Sequence, residues 1–214
     1  MKVFVIAMDC EAECVVSHLA GAREERLYGR RVVRGLLGGE EALVVVSGIG
    51  KSNAAAAAQL AIQLSGADTV RNFGVAGGFE PGMRPGDLYE VRDAVQYDFD
   101  LAQLNGTEPG TLNERNTPFI PCATEGRFPA KVLGTGDRFN DDESELPLLR
   151  RLGVGLRDME GAAIAHVCET AGVRFMSLKC VSDVHGEGSM PGQYAENLER
   201  CLARLADAVQ DVWC

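Results

Sequence analysis

Apolar residues in this chain recur in two rhythms, and the alternation between them predicts the order of the elements. Lys2 to Ala7, KVFVIA, is a short unbroken apolar run closed by an acidic turn, which suits a first strand in the middle of a sheet. Cys14, Val15, Val16 and Leu19 then fall at helical spacing, with Gly21 as the expected stop. Arg31 to Val46 holds two apolar runs around Gly38-Gly39-Glu40-Glu41 and predicts a β-hairpin. After a small-residue turn, an alanine-rich helix is expected from Lys51 to about Ser65. Strands are predicted at Thr69 to Phe73, Leu88 to Val95 and Lys131 to Thr135, with an aperiodic polar loop from Gln96 to Pro118. An acidic stretch, Asp141 to Glu145, leads into an expected helix over Leu146 to Leu152.

The closing third repeats the helix and strand alternation. Gly153 to Leu156 reads as a strand and Asp158-Met159-Glu160 as an acidic turn. A helix is expected from Gly161 to a Gly172 stop, where a C′ residue takes positive φ. Arg174 to Val181 is apolar and partly β-branched, as a buried parallel strand is, and ends in Ser182-Asp183. Leu198, Cys201, Leu202, Leu205, Val209 and Val212 place an amphipathic helix over Gly192 to Trp213. Strands alternating with helices predict one α/β domain spanning residues 1–214.

Candidate chemistry gathers where strands end, because ligands of open α/β sheets collect beyond the carboxyl ends of strands. Asp183 follows one strand, Glu11 another, and Glu160 opens a helix behind a third. Each also has a structural explanation: carboxylates in a helix first turn favour the macrodipole, and Ser-Asp closes turns and caps helices. Gly74-Val75-Ala76-Gly77-Gly78 reads as a glycine turn after a strand, whose backbone can approach a flat polar ring. It lacks the dinucleotide spacing. Gly50-Lys51-Ser52 resembles the end of a P-loop, but that motif needs a glycine at the position held by Val45. Phe139 offers a surface for ring stacking. Lys179, four residues before Asp183, projects to the same face about 13 Å away if the strand is regular. It can pair with a site carboxylate or form a buried structural pair.

Composition narrows the partners. A formal net charge of -10 with no basic cluster disfavours nucleic acid and anionic membrane surfaces. Hydrophobic residues make up 46% of the 214, enough for a substantial core. Seven cysteines, an odd number without a C-x-x-C pair, fit neither a disulfide framework nor a zinc site. No cofactor or metal is expected. The apolar run after Met1-Lys2 is too short and too soon acidic for a signal peptide or membrane span, so a reduced cytoplasmic setting is expected.

Six segments in order, KVFVIAMDCEAE, SGIGKSNAAAAA, NFGVAGGFEPGMRPGDL, GTGDRF, DMEGAAIAHVC and SDV, resemble the type I nucleoside phosphorylase superfamily. Within it the chain is most similar to 5′-methylthioadenosine/S-adenosylhomocysteine nucleosidases. The resemblance implies a three-layer α/β/α sandwich around a mixed, partly closed β-sheet. It also implies a homodimer in which a neighbouring loop walls the 5′ end of the ligand. By motif, Glu11 is the base that activates water, Met159 and Glu160 hold the ribose, and Asp183 protonates the purine at N7. Ala76, Gly77, Phe139 and Asn140 surround the base, Ile49 approaches the sugar, and Val75 and Ser182 complete the substrate contacts. Val75 stands where many of these hydrolases have serine, and Asn140-Asp141-Asp142 is more polar than the family's usual segment. His185 lies outside the motif and reads as a loop residue.

The expected activity is hydrolysis of an adenine nucleoside with a 5′-thio substituent. The rival readings are hydrolysis of another purine nucleoside such as a futalosine-type compound, phosphorolysis, and a non-catalytic nucleoside-binding protein on the same fold.

Overall fold

The computed structural model describes residues 1–213, apart from the side chain of Val212; Cys214 lies outside the described residues. Strand β1 (Lys2–Ile6) runs between two parallel neighbours, β4 (Glu40–Val46) and β5 (Thr69–Gly78). Its alternation sorts the two faces of the sheet. Val3 and Val5 join the core beneath α2 (Lys51–Ser65) and α5 (Gly161–Thr170). Phe4 and Ile6 join the core beneath α1 (Asp9–Val16) and α6 (Met190–Trp213). Helices therefore cover both faces, and the α/β/α layering is as expected. Alanines 54, 57, 58 and 61 let α2 lie close to the sheet. On the other face Trp213 packs edge-on to Phe4, ring centroids 5.5 Å apart, and fastens the end of α6.

The sheet is open at one end and closed at the other. From β1 it extends through β4 to β3 (Arg30–Leu37) and β2 (Ala20–Leu27) as an antiparallel meander. In the other direction β5 pairs with both β10 (Arg174–Val184) and β9 (Val154–Asp158). β10 pairs with β6 (Leu88–Gln96), β6 with β8 (Ala130–Thr135), and β8 with β9. These five strands form a ring, which is the partial closure of the sheet. The short β7 (Ile120–Pro121) hangs on β6.

Four expectations are corrected. Helix α1 ends at Val16 with Ser17 as its cap, and Gly21 lies in β2, a strand without apolar alternation whose residues are nearly all exposed. Cross-strand ion pairs such as Arg31 with Glu24, at 2.9 Å, connect β2 to β3 in place of a buried face. Gly74 to Gly78 is not a turn: β5 runs through all five residues. Ser182 and Asp183 likewise lie within β10 rather than after it. The 96–118 loop contains a short helix, α3 (Ala102–Asn105), and the 143–145 turn precedes α4 (Leu146–Arg151), whose Leu146 and Leu149 are buried. Cys14, Cys168, Cys180 and Cys201 are buried, Cys122 is half-buried and Cys10 exposed, all as free thiols.

Candidate active site

A cavity of about 280 Å³ opens where β1, β5 and β10 end against the starts of α1, α5 and α6. Glu11, Glu160 and Asp183 all line it, although each is less than a tenth exposed. Ile49, Val75, Ala76, Gly77, Phe139, Met159 and Ser182 line it too. Asn140 does not. Its carboxamide oxygen turns back to accept from the Asp142 amide at 3.3 Å, and its carbonyl oxygen accepts from Arg157.

Glu11 satisfies both readings of a first-turn acid. One oxygen accepts from the Met8 amide at 3.2 Å, closing the first turn of α1 as a cap does. The other accepts from the Val75 amide of β5 at 2.9 Å. That approach needs Gly74, since a Cβ there would lie 2.5 Å from the carboxylate. Burial pushes the Glu11 pKa up, against the Val75 hydrogen bond and the charge of Lys179.

Glu160 immediately precedes α5, and its carboxylate accepts from the Gly50 amide at 2.8 Å. Burial first, and the neighbouring Asp158 second, push its pKa up to about 7. Asp158, at the end of β9, is itself paired: Lys179 Nζ lies 2.8 Å from it, and the Gly161 amide donates to it at 2.9 Å. Burial alone would lower the Lys179 pKa, but Asp158, with Glu160 and Glu11 behind it, outweighs that and raises it. Lys179 thus pairs with a carboxylate of the cavity wall, not with Asp183. Opposite these two positions on β5 stand Gly74 and Gly77, so β10 has one residue more than its partner, a bulge at Ser182. The bulge breaks the alternation that would have aligned Lys179 with Asp183.

At the bulge the Ser182 hydroxyl donates to Asp183 Oδ1 at 2.7 Å, and the Ser182 carbonyl accepts from Asn197 of α6. Asp183 Oδ2 is buried and meets no protein donor. Burial raises the Asp183 pKa over the opposing effects of Ser182 and Arg157, which favours a carboxyl that carries its proton.

A model of the phosphorylase superfamily matches residues 2–212. The chain belongs to this superfamily. A curated relative, the 5′-methylthioadenosine/S-adenosylhomocysteine nucleosidase of Geobacillus kaustophilus, is 32% identical over 88% of this chain and 87% of its own. Among solved structures, the nucleosidase of that name from Colwellia psychrerythraea 34H, in complex with adenine, superposes with a TM-score of 0.89. It is 28% identical over 99% of this chain and 93% of its own. The Neisseria meningitidis nucleosidase with methylthio-immucillin-A gives 0.88 at 25% identity, covering 98% and 97%.

In this superfamily member, several wall residues carry no local sequence signal. Tyr194, on α6, reaches the cavity and places its hydroxyl 3.6 Å from the Met8 sulfur. Phe139 meets the Tyr194 ring edge-on at 5.7 Å. Ala7, Arg157 and Asp158 also line the wall. His185 stacks on Phe79 at 5.4 Å and is not part of the lining. Among the described residues no cluster of three or more His, Cys, Asp or Glu is arranged to hold a metal, and no helix is long and apolar enough to cross a membrane.

Proposed function

We propose that the protein hydrolyses the N-glycosidic bond of 5′-methylthioadenosine and S-adenosylhomocysteine-type nucleosides, releasing adenine and the 5′-substituted ribose. One observation carries this reading above all. The free oxygen of Asp183 is buried on the wall of a cavity whose other carboxylates are held by backbone amides. Burial raises the Asp183 pKa, which favours the protonated carboxyl, and a purine N7 is an acceptor such a carboxyl can serve.

In the proposed reaction the bond between C1′ and N9 breaks and its electron pair passes to the base, while Asp183 gives its proton to N7. Glu11 takes a proton from water, whose oxygen joins C1′. Glu160, ionised, accepts from the ribose hydroxyls and stabilises the positive sugar. The aromatic and aliphatic mouth formed by Ile49, Tyr194 and Met8 suits a thioether at the 5′ end, and Phe139 offers its ring to the base. Ile49 is half exposed at that mouth, which supports a homodimer in which a neighbouring copy completes that wall. We take the chain to be one domain that works in the cytoplasm.

The test is chromatographic detection of free base after incubation with 5′-methylthioadenosine, S-adenosylhomocysteine and a futalosine-type nucleoside. Adenine release from the first two is expected. Stable binding without any base release would leave a nucleoside-binding protein in its place.

A further inference from the structure

Gly77 of β5 pairs in register with Arg157 of β9 on one side and with Asp183 of β10 on the other. Residues paired directly across strands project to the same face, so Arg157 and Asp183 flank a position without a side chain, their Cα atoms about 10 Å apart. The gap between them is narrow. A Cβ on Gly77 would lie 2.9 Å from Asp183 Oδ2 and 3.7 Å from the Met190 methyl, and the Met190 sulfur is 3.4 Å from Arg157 Nη2.

Arg157 lines the cavity with its side chain almost fully buried. Its remaining bonds are a 2.7 Å contact from Nη2 to the Asn140 carbonyl and a 3.3 Å contact from Nη1 to Glu145. Glu145 is shared with Arg138 and Tyr97, so Arg157 is not needed to neutralise it. The guanidinium also lies over the Phe79 ring at 5.1 Å, a flat support that holds it in place.

If Asp183 addresses purine N7, the substituent on C6 lies on the same edge of the base. A guanidinium only donates; a 6-oxo group only accepts, whereas a 6-amino group donates. We infer that Arg157 is a base-reading residue that admits 6-oxopurine nucleosides, donating to O6 while Asp183 protonates N7. The inference rests on the nucleosidase reading and widens its substrate class. In nucleic acids too, arginine is the donor that recognises the O6 acceptor of guanine. An adenine, in contrast, sets N–H against N–H, and its amino group competes with Arg157 for the Asn140 carbonyl.

The experiment compares two nucleosides that differ only at C6, 5′-methylthioadenosine and 5′-methylthioinosine, in the wild type and in Arg157→Leu. The readout is the ratio of their kcat/KM values, whatever happens to the absolute rates. The wild type is expected to cleave both, and the ratio of 6-oxo to 6-amino to fall about 10- to 100-fold in the variant. Calorimetry with hypoxanthine and adenine should show the same selective loss in the affinity of the free base. Arg157→Lys keeps the charge without the paired donors and should give a smaller fall of the same sign, which serves if the leucine variant does not fold. An unchanged ratio, or a wild type that neither cleaves the 6-oxo nucleoside nor binds hypoxanthine, overturns the inference. Selective loss of hypoxanthine binding with neither nucleoside cleaved would keep the inference and remove the hydrolase reading.

Discussion

Asp183 and Glu160 are pushed the same way by burial, yet the proposed mechanism needs them in opposite states. Asp183 must hold its proton, so Asp183→Asn is expected to lower turnover by roughly 10² to 10⁴ while a transition-state-like iminoribitol still binds. Near wild-type turnover would remove Asp183 as the donor. Glu160 must lose its proton to accept from the ribose, so kcat/KM should rise with pH through about 7, and that limb should vanish in Glu160→Gln. Stability moves in the other direction. A carboxyl raised from 4.5 to about 7 stabilises the fold fully below its unfolded value and loses that contribution as pH rises through its folded one. Glu11 and Asp183, also raised, add to the same trend. The wild-type Tm should therefore decline between pH 5 and 8, by an amount equivalent to about 1–3 kcal/mol, and less so in Glu160→Gln. These three acids were legible in the sequence because a strand end and a helix start are local patterns. Tyr194 and Arg157 were not, since what brings them to the cavity is packing between segments far apart in the chain. That the Asn140 side chain turns away from the cavity was not legible, because the short turn whose Asp142 amide it accepts from is invisible to motif matching.

The elements that bring these residues together depend on small deviations from regularity. Gly74 and Gly77 serve as strand residues whose missing Cβ atoms make room for Glu11 and Asp183. Gly77→Ala would press on Asp183 Oδ2 from 2.9 Å, and should cut kcat at least tenfold with a smaller effect on Tm. A Tm collapse with normal specific activity in the folded fraction would mean that the glycine serves packing alone. The bulge at Ser182 was not legible either, because Lys179 to Asp183 reads as an ordinary strand; only the register against β5 exposes the extra residue. β2 was missed for a related reason, having charge pairs where a half-buried strand shows alternation. Lys179 was left between two roles, and the structure unites them: its partner Asp158 is a carboxylate of the cavity wall and the pair is buried. Lys179→Met should destabilise the protein by about 3–5 kcal/mol, measured by urea unfolding, because it leaves Asp158 buried without its cation.

For the molecule as a whole, the balance of charge decides between water and phosphate as the attacking group. The chain carries a formal charge of -10, and four carboxylates line the cavity against one arginine, Arg157, which flanks Gly77 opposite Asp183 rather than standing beside Glu11 or Glu160. Asn72 of β5 spends its carboxamide on Val5 and Ser177, and neither it nor Arg71 is in the lining. A phosphate dianion placed beside Glu11 and Glu160 would have no free partner, at a cost of several kcal/mol. Turnover in phosphate-free buffer should equal that in tens of millimolar phosphate, with the free sugar as product; a sugar 1-phosphate would reverse the assignment. The ring of β5, β10, β6, β8 and β9 bears on how this site breathes. At Gly77 β5 has strand neighbours on both sides, and next to Asp183 β10 is held by β5 on one side and by Asn197 and Gln193 of α6 on the other, so neither residue lies on a free edge. Their amide protons should exchange with deuterium only when the whole ring opens, on the timescale of global unfolding. Those of the 138–142 and 186–189 segments, which pair with no strand, should exchange through local fluctuations many times faster. The acid would then stay in place from one turnover to the next, while the walls around the substrate yield to let it in and its products out.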